Sequence, residues 1–138
     1  MANTLYDHGR EGFLAGDIDW DADTIKVCLV DEEDYTVDLA NHETFNQVTA
    51  GSRATNGISG AFTSKTVAAG VADAANVTLT QVSGDESEAL VIYQDDGGCE
   101  DTSRLIAYIN SATGLPVILN GGDININWDD GSDKIFKL

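Results

Sequence analysis

Positive charge is what this sequence has least of. Seven Lys and Arg stand against 24 Asp and Glu in 138 residues, a formal net charge of −17. Phosphate binding needs clustered basic side chains, so this balance argues against nucleic acid as a partner. It also keeps the chain off anionic membranes. Long apolar runs are missing too: no stretch approaches the roughly 18 residues of a membrane helix. The opening Met1-Ala-Asn-Thr-Leu-Tyr-Asp-His8 lacks the basic-then-apolar order of a secretory signal, and synthesis in a cytosol is the expectation. Cysteine is scarce, with only Cys28 and Cys99, far apart and in no CxxC motif, so no disulfide is expected. Cys28, inside Ile25-Lys-Val-Cys-Leu-Val30, reads as a small buried hydrophobe; Cys99, after Gly97-Gly98, reads as a loop residue.

Catalytic sets are also missing. His8 and His42 are the only histidines, both in polar segments and outside any nucleophile elbow, HExxH helix or metal-ligand spacing. Gly9-Arg-Glu-Gly12 and Gly57-Ile-Ser-Gly60 lack the Lys-Ser/Thr or strand-turn-helix frame of a phosphate loop. A glycosidase needs two carboxylates across a sugar cleft, and the aromatic platform expected beside them is thin at 7% Phe, Trp and Tyr. The expectation is a contact protein, not an enzyme, with no cofactor. One acidic pattern remains. Asp17-Ile-Asp-Trp-Asp-Ala-Asp23 places four carboxylates at alternate positions, where a strand would put them on one face and raise the question of Ca²⁺. It fails the EF-hand pattern, with Ala22 where Gly is needed and Cys28 where a bidentate Glu is needed. A solvated acidic face, with Ile18, Trp20 and Ala22 turned toward protein, is the simpler reading.

What is present is one domain's worth of chain with β periodicity. Residues 1–23 read as an N-terminal arm, extended or partly helical, and residues 24–138 as a single β-rich domain. The first strand is Thr24 to Val30, closed by Asp31-Glu-Glu-Asp34 as a solvated turn. Leu39 to Val48 permits one short helix with Asn41 as N-cap, and Ala50 to Gly60 reads as a long loop. Strand-like runs follow near residues 63–69, 76–82, 89–94, 104–110 and 123–128, with a last short one at 134–138. Val77-Thr-Leu-Thr-Gln-Val82 and Ile124-Asn-Ile-Asn-Trp128 largely alternate apolar with polar, the mark of a sheet with one wet face. Turns such as Asn120-Gly-Gly122 and Asp129-Asp-Gly-Ser132 separate the runs. The fold class expected is all-β, an antiparallel β-sandwich or jelly-roll-like domain with an extended N-terminal arm and at most one short helix.

Large apolar residues punctuate the acidic arm, and the last strand ends on them. Leu5, Tyr6, Phe13 and Trp20, with Phe136 and Leu138, are therefore candidates for contact with a partner, since aromatics carry most of the energy at interface centres. The competing reading folds the arm back on its own sheet and makes those residues core. Both stay open at this level.

Two stretches carry a resemblance: Leu5-Tyr-Asp-His-Gly-Arg-Glu-Gly-Phe-Leu-Ala-Gly-Asp-Ile-Asp-Trp20, and the run from Arg104-Leu-Ile-Ala-Tyr-Ile-Asn110 through Asn120-Gly-Gly-Asp-Ile124 to Lys134-Ile-Phe-Lys-Leu138. They are similar to a family of small tailed-bacteriophage virion proteins. The resemblance implies a capsid decoration (cement) protein, jelly-roll-like, on the outer surface of the head. It would associate with itself as a dimer or trimer and bind the major capsid protein. No functional residue set comes with the family. A net charge of −17 suits the outside of a DNA-filled shell. Two alternatives are a tail- or fibre-associated module that binds a host glycan, and a Ca²⁺-stabilised binding module.

Overall fold

The computed structural model describes residues 4–138. Strands β1 (Thr4–Leu5), β2 (Ile25–Val30), β3 (Arg53–Ile58), β7 (Ala89–Gln94) and β8 (Arg104–Ile109) form the main sheet in the order β1-β8-β7-β2-β3, antiparallel throughout. Three short strands, β4 (Thr66–Ala68), β5 (Val71–Asp73) and β10 (Phe136–Lys137), make a second sheet in the order β10-β5-β4. A third pairs β6 (Val77–Leu79) with β9 (Ile124–Ile126). Helix α1 (Asp7–Ala15) is the one α-helix among the described residues. The molecule is an all-β domain with a short helix, the class expected from the sequence.

The three inner strands of the main sheet are nearly continuous apolar runs, the pattern of strands buried on both faces. On one face Val27, Leu29, Ile92 and Ile106 meet Leu79 and Ile126 of the β6–β9 pair, Val82 and Trp128 just beyond those strands, and Phe62. On the other, Cys28, Val91, Tyr93 and Tyr108 lie under the 31–52 segment, which contributes Tyr35, Phe45 and Val48. Phe45 stacks flat on Tyr93 with ring centroids 3.8 Å apart, and the Arg53 guanidinium lies 3.9 Å from the Phe45 centroid.

Several expectations need correction. The helix lies in the N-terminal stretch and not in residues 39–48, where a single 3₁₀ turn, Phe45–Gln47, is closed by a Thr44/Gln47 capping box. Two glycines within α1 disfavour it as an isolated helix, yet packing requires one of them. A side chain on Gly9 would put its Cβ 2.8 Å from the Leu105 carbonyl oxygen and 2.9 Å from that of Ile106. That close approach is possible where β8 bulges: Ile92 pairs with Ala107 and Tyr93 with Leu105, leaving Ile106 unpaired in the register. The Ile106 carbonyl instead accepts the Tyr6 N–H at 3.0 Å.

The supposed loop at residues 50–60 contains β3, held to β2 at Cys28↔Ile58 and Val30↔Arg53. The run at 63–69 is the first half of a hairpin, β4–β5, turned at Ala69-Gly70 with φ of 52 and 80. Two positive φ values in a two-residue loop match the twist of the flanking strands. Residues 4–23 are not an arm apart from the domain: β1 pairs with β8, and Leu5, Tyr6, Ile18 and Trp20 are at most 6% exposed. Asp17–Asp23 is a turn and not a strand, so its four carboxylates do not share a face through β alternation.

Candidate functional site

Four of the six sequence candidates meet at one groove. Register builds one wall of it: Val67 pairs with Ala72, and Ala72 with Phe136, a cross-strand row on a single face of the second sheet. The segment running out of α1 builds the other wall through Phe13, Gly16, Ile18 and Trp20. Trp20 packs edge-on against Phe136 at 5.2 Å and against Phe62 at 6.0 Å, and Phe13 tilts against Phe136 at 5.8 Å. Its indole Nε1 donates to the Asp73 carbonyl at 3.0 Å, so the ring is fixed at both ends. The groove has a volume of about 350 Å³. Its mouth carries Val67, 57% exposed, and Leu138, 58% exposed, with Leu14 on the adjoining helix 88% exposed.

Leu5 and Tyr6 do not reach this groove. Leu5 belongs to the main core, and Tyr6 is fully buried with the opposite cluster, its hydroxyl 2.9 Å from that of Tyr35. Trp20 and Phe136 serve as floor and wall, while Leu138 stands open at the rim. Val67 was missed as a contact residue; its placement between Thr66 and Ala68 in a strand-like run was the available signal, without any indication of which face would stay uncovered.

The rim is acidic. Asp19 lines the groove, and Asp21 beside it is exposed, its carboxyl pushed above its ordinary range by the hydrogen bond and charge of Asp19. The Asp23 carboxylate is engaged locally, accepting from the Asp19 N–H at 2.8 Å and from Gln94 Nε2 at 2.6 Å. Lys65 donates to the Asp23 carbonyl, and Lys137 alternates with Phe136 on β10. Among the described residues the acidic trio whose oxygens converge within 4.8 Å is a different one, Asp31, Asp34 and Asp85.

A larger cavity of about 760 Å³ opens elsewhere between the main sheet and the β9 region. Leu29, Leu90 and Ile109 lie at its base, and Asn125, Asn127, Trp128 and Asp129 line it. Ile135 belongs to this cavity, whereas Phe136 and Leu138 belong to the groove. The last segment is therefore a wall shared by the two openings.

Both histidines and Tyr108 are tied into local bonds. Half-buried His8 places its Nδ1 2.8 Å from the exposed Glu11 carboxylate. His42 Nδ1 meets the Tyr35 hydroxyl at 2.8 Å and accepts the Asp38 N–H at 3.3 Å. The Tyr108 hydroxyl donates to Glu32, which also accepts from Asn110 Nδ2 at 3.2 Å. Burial pushes the Cys28 thiol up to about 12, whereas Cys99 is exposed. No described helix is long and apolar enough to cross a membrane. The chain matches no protein-family model and no curated protein.

Proposed function

We propose that this protein is a structural component of a tailed-phage virion that binds the outer surface of the head and stabilises the shell by bridging major capsid subunits. The single observation that carries this reading is the groove where Phe13, Trp20, Phe136 and Leu138 converge with Val67, an apolar recess on a molecule otherwise dominated by acidic surface. Apolar anchors in a recess with a polar rim are the anatomy of a protein contact. The resemblance of the stretches 5–20 and 104–138 to small tailed-phage virion proteins supports the same reading. Modest affinity per copy suffices, because several contacts to one lattice act multivalently.

Cosedimentation with empty shells tests it, alongside cryo-electron microscopy of the parent virion. The expected outcome is shell binding by the wild-type chain, density on the outer face of the head, and weakened binding for Leu138→Asp, an exposed position where a charge would enter the groove mouth. Location only in the tail, or absence from the particle, overturns the reading.

A second reading, a tail- or fibre-associated module for a host glycan, is favoured by the larger cavity, where Trp128 lies beside Asn125, Asn127 and Asp129. Glycan binding by the isolated protein, with no binding to shells, would select it.

A further inference from the structure

The hairpin that carries Val67 has an open side. In the sheet order β10-β5-β4, no described strand lies beyond β4. The two-residue turn at Ala69-Gly70 makes Ala68↔Val71 the hydrogen-bonded pair that closes the hairpin. Hydrogen-bonded and non-hydrogen-bonded pairs alternate along an antiparallel ladder, so Val67↔Ala72 is of the second kind. Ala72 accordingly turns its backbone toward β10, where its carbonyl accepts the Ile135 N–H at 3.1 Å. By the same alternation Val67 points its N–H and C=O outward from the sheet, away from β5. All three residues of β4 are exposed, and they are Thr, Val and Ala, without the Pro or inward charge that commonly blunts an edge.

This edge adjoins the groove. A strand laid beside β4 would continue the row Phe136–Ala72–Val67, so its residue opposite Val67 would stand at the groove mouth. We propose that the free edge of β4 is a strand-addition site that takes an extended segment of the shell protein, with an apolar residue opposite Val67 and Lys or Arg close to it. Backbone pairing supplies affinity in this mode and the side-chain recess supplies selectivity. The basic residue follows from charge complementarity. Asp19 lines the recess and Asp21 adjoins it; Lys65, bonded to the Asp23 carbonyl, sets its charge against Asp21, so two carboxylates face one ammonium there, and Lys137 falls on the opposite face of β10 from Phe136. A second copy of this chain is disfavoured as occupant because it would bring another −17 of charge to the same place.

The inference rests on the shell-binding reading, and one variant separates the two. Val67→Pro removes an N–H that makes no bond within the sheet, and proline is tolerated at such edge positions. The variant should keep the wild-type circular dichroism and melting temperature while losing about two- to tenfold in affinity for empty shells, the worth of a backbone hydrogen bond. Val67→Lys, at a position already exposed, is the second variant and should show the same loss; it decides the matter if Val67→Pro does not fold. Wild-type binding should also weaken as salt is raised. A folded Val67→Pro that binds shells like wild type overturns the strand-addition site and leaves the shell-binding reading standing. Wild-type protein that binds no shells overturns both. If sedimentation shows a wild-type oligomer that Val67→Pro dissolves, the occupant is a second copy and the assignment to the shell protein falls.

Discussion

Asp95 shows how single contacts set the response of this acidic molecule to pH. Its carboxylate lies 2.6 Å from Lys26 Nζ, with both side chains about three-quarters buried, and it also accepts the Gly97 N–H at 2.9 Å. The Lys26 hydrogen bond, then the Gly97 N–H, holds the carboxyl below its ordinary range despite the opposing effect of burial. A carboxyl depressed in the folded state contributes stability that is fully present above its unfolded value, near about 3.9 for Asp, and is lost as pH falls through the lower folded value. Glu100, paired with Arg53 at 2.7 Å, is depressed in the same direction. Asp95→Asn should therefore be less stable than wild type at pH 7 and lose less stability than wild type as pH falls below about 3.9. Urea midpoints measured across that range check this; a slope identical to wild type would mean that Asp95 does not carry the effect.

At the scale of elements, α1 is fixed by contact with β8 and not by its own sequence. Gly9→Ala raises intrinsic helix propensity, yet the new methyl would have to fit within 2.9 Å of two carbonyl oxygens of β8. Overpacking of this kind costs about 1–3 kcal/mol, so the variant should be less stable than wild type by denaturant melting. An increase in stability would show that the helix does not sit that close to the bulge. This is also why the stretch reads from sequence only as extended or partly helical. Asp7-His-Gly-Arg-Glu-Gly-Phe-Leu-Ala15 has two glycines and no apolar periodicity, and only the tertiary fit to Leu105 and Ile106 selects a helix. Strands β2, β7 and β8 were legible because unbroken runs such as Ala89-Leu-Val-Ile-Tyr93 have few other stable homes than a buried sheet. Strand β3, Arg-Ala-Thr-Asn-Gly-Ile, carries no such run and is defined by pairing with β2. The site was half legible for a related reason. Isolated large apolar residues in an acidic stretch mark burial without saying against what. Leu5 and Tyr6 are core away from the groove, Trp20 is core that also forms the groove floor, and Phe13, Phe136 and Leu138 line the groove from less buried positions.

For the whole molecule, the net charge of −17 is spread over a small domain that has few cations to offset it. Like charges repel most in the compact state, and salt screens them over a Debye length of about 8 Å at 0.15 M. The melting temperature in dilute buffer should rise when NaCl is added to physiological strength. A fall would show that pairs such as Lys26–Asp95 and Arg53–Glu100 outweigh the general repulsion.

The shared wall built by residues 134–138 has one more consequence. Ile135 faces the larger cavity while Phe136 and Leu138 face the groove, and the segment is tied to the second sheet through Ala72 and Gly70. An occupant that shifted this segment from one side would change the shape of the other, and occupancy of the two recesses would then be thermodynamically linked. Such linkage is reciprocal: whatever factor a molecule in the cavity applies to the affinity of the groove, a partner in the groove applies to the cavity.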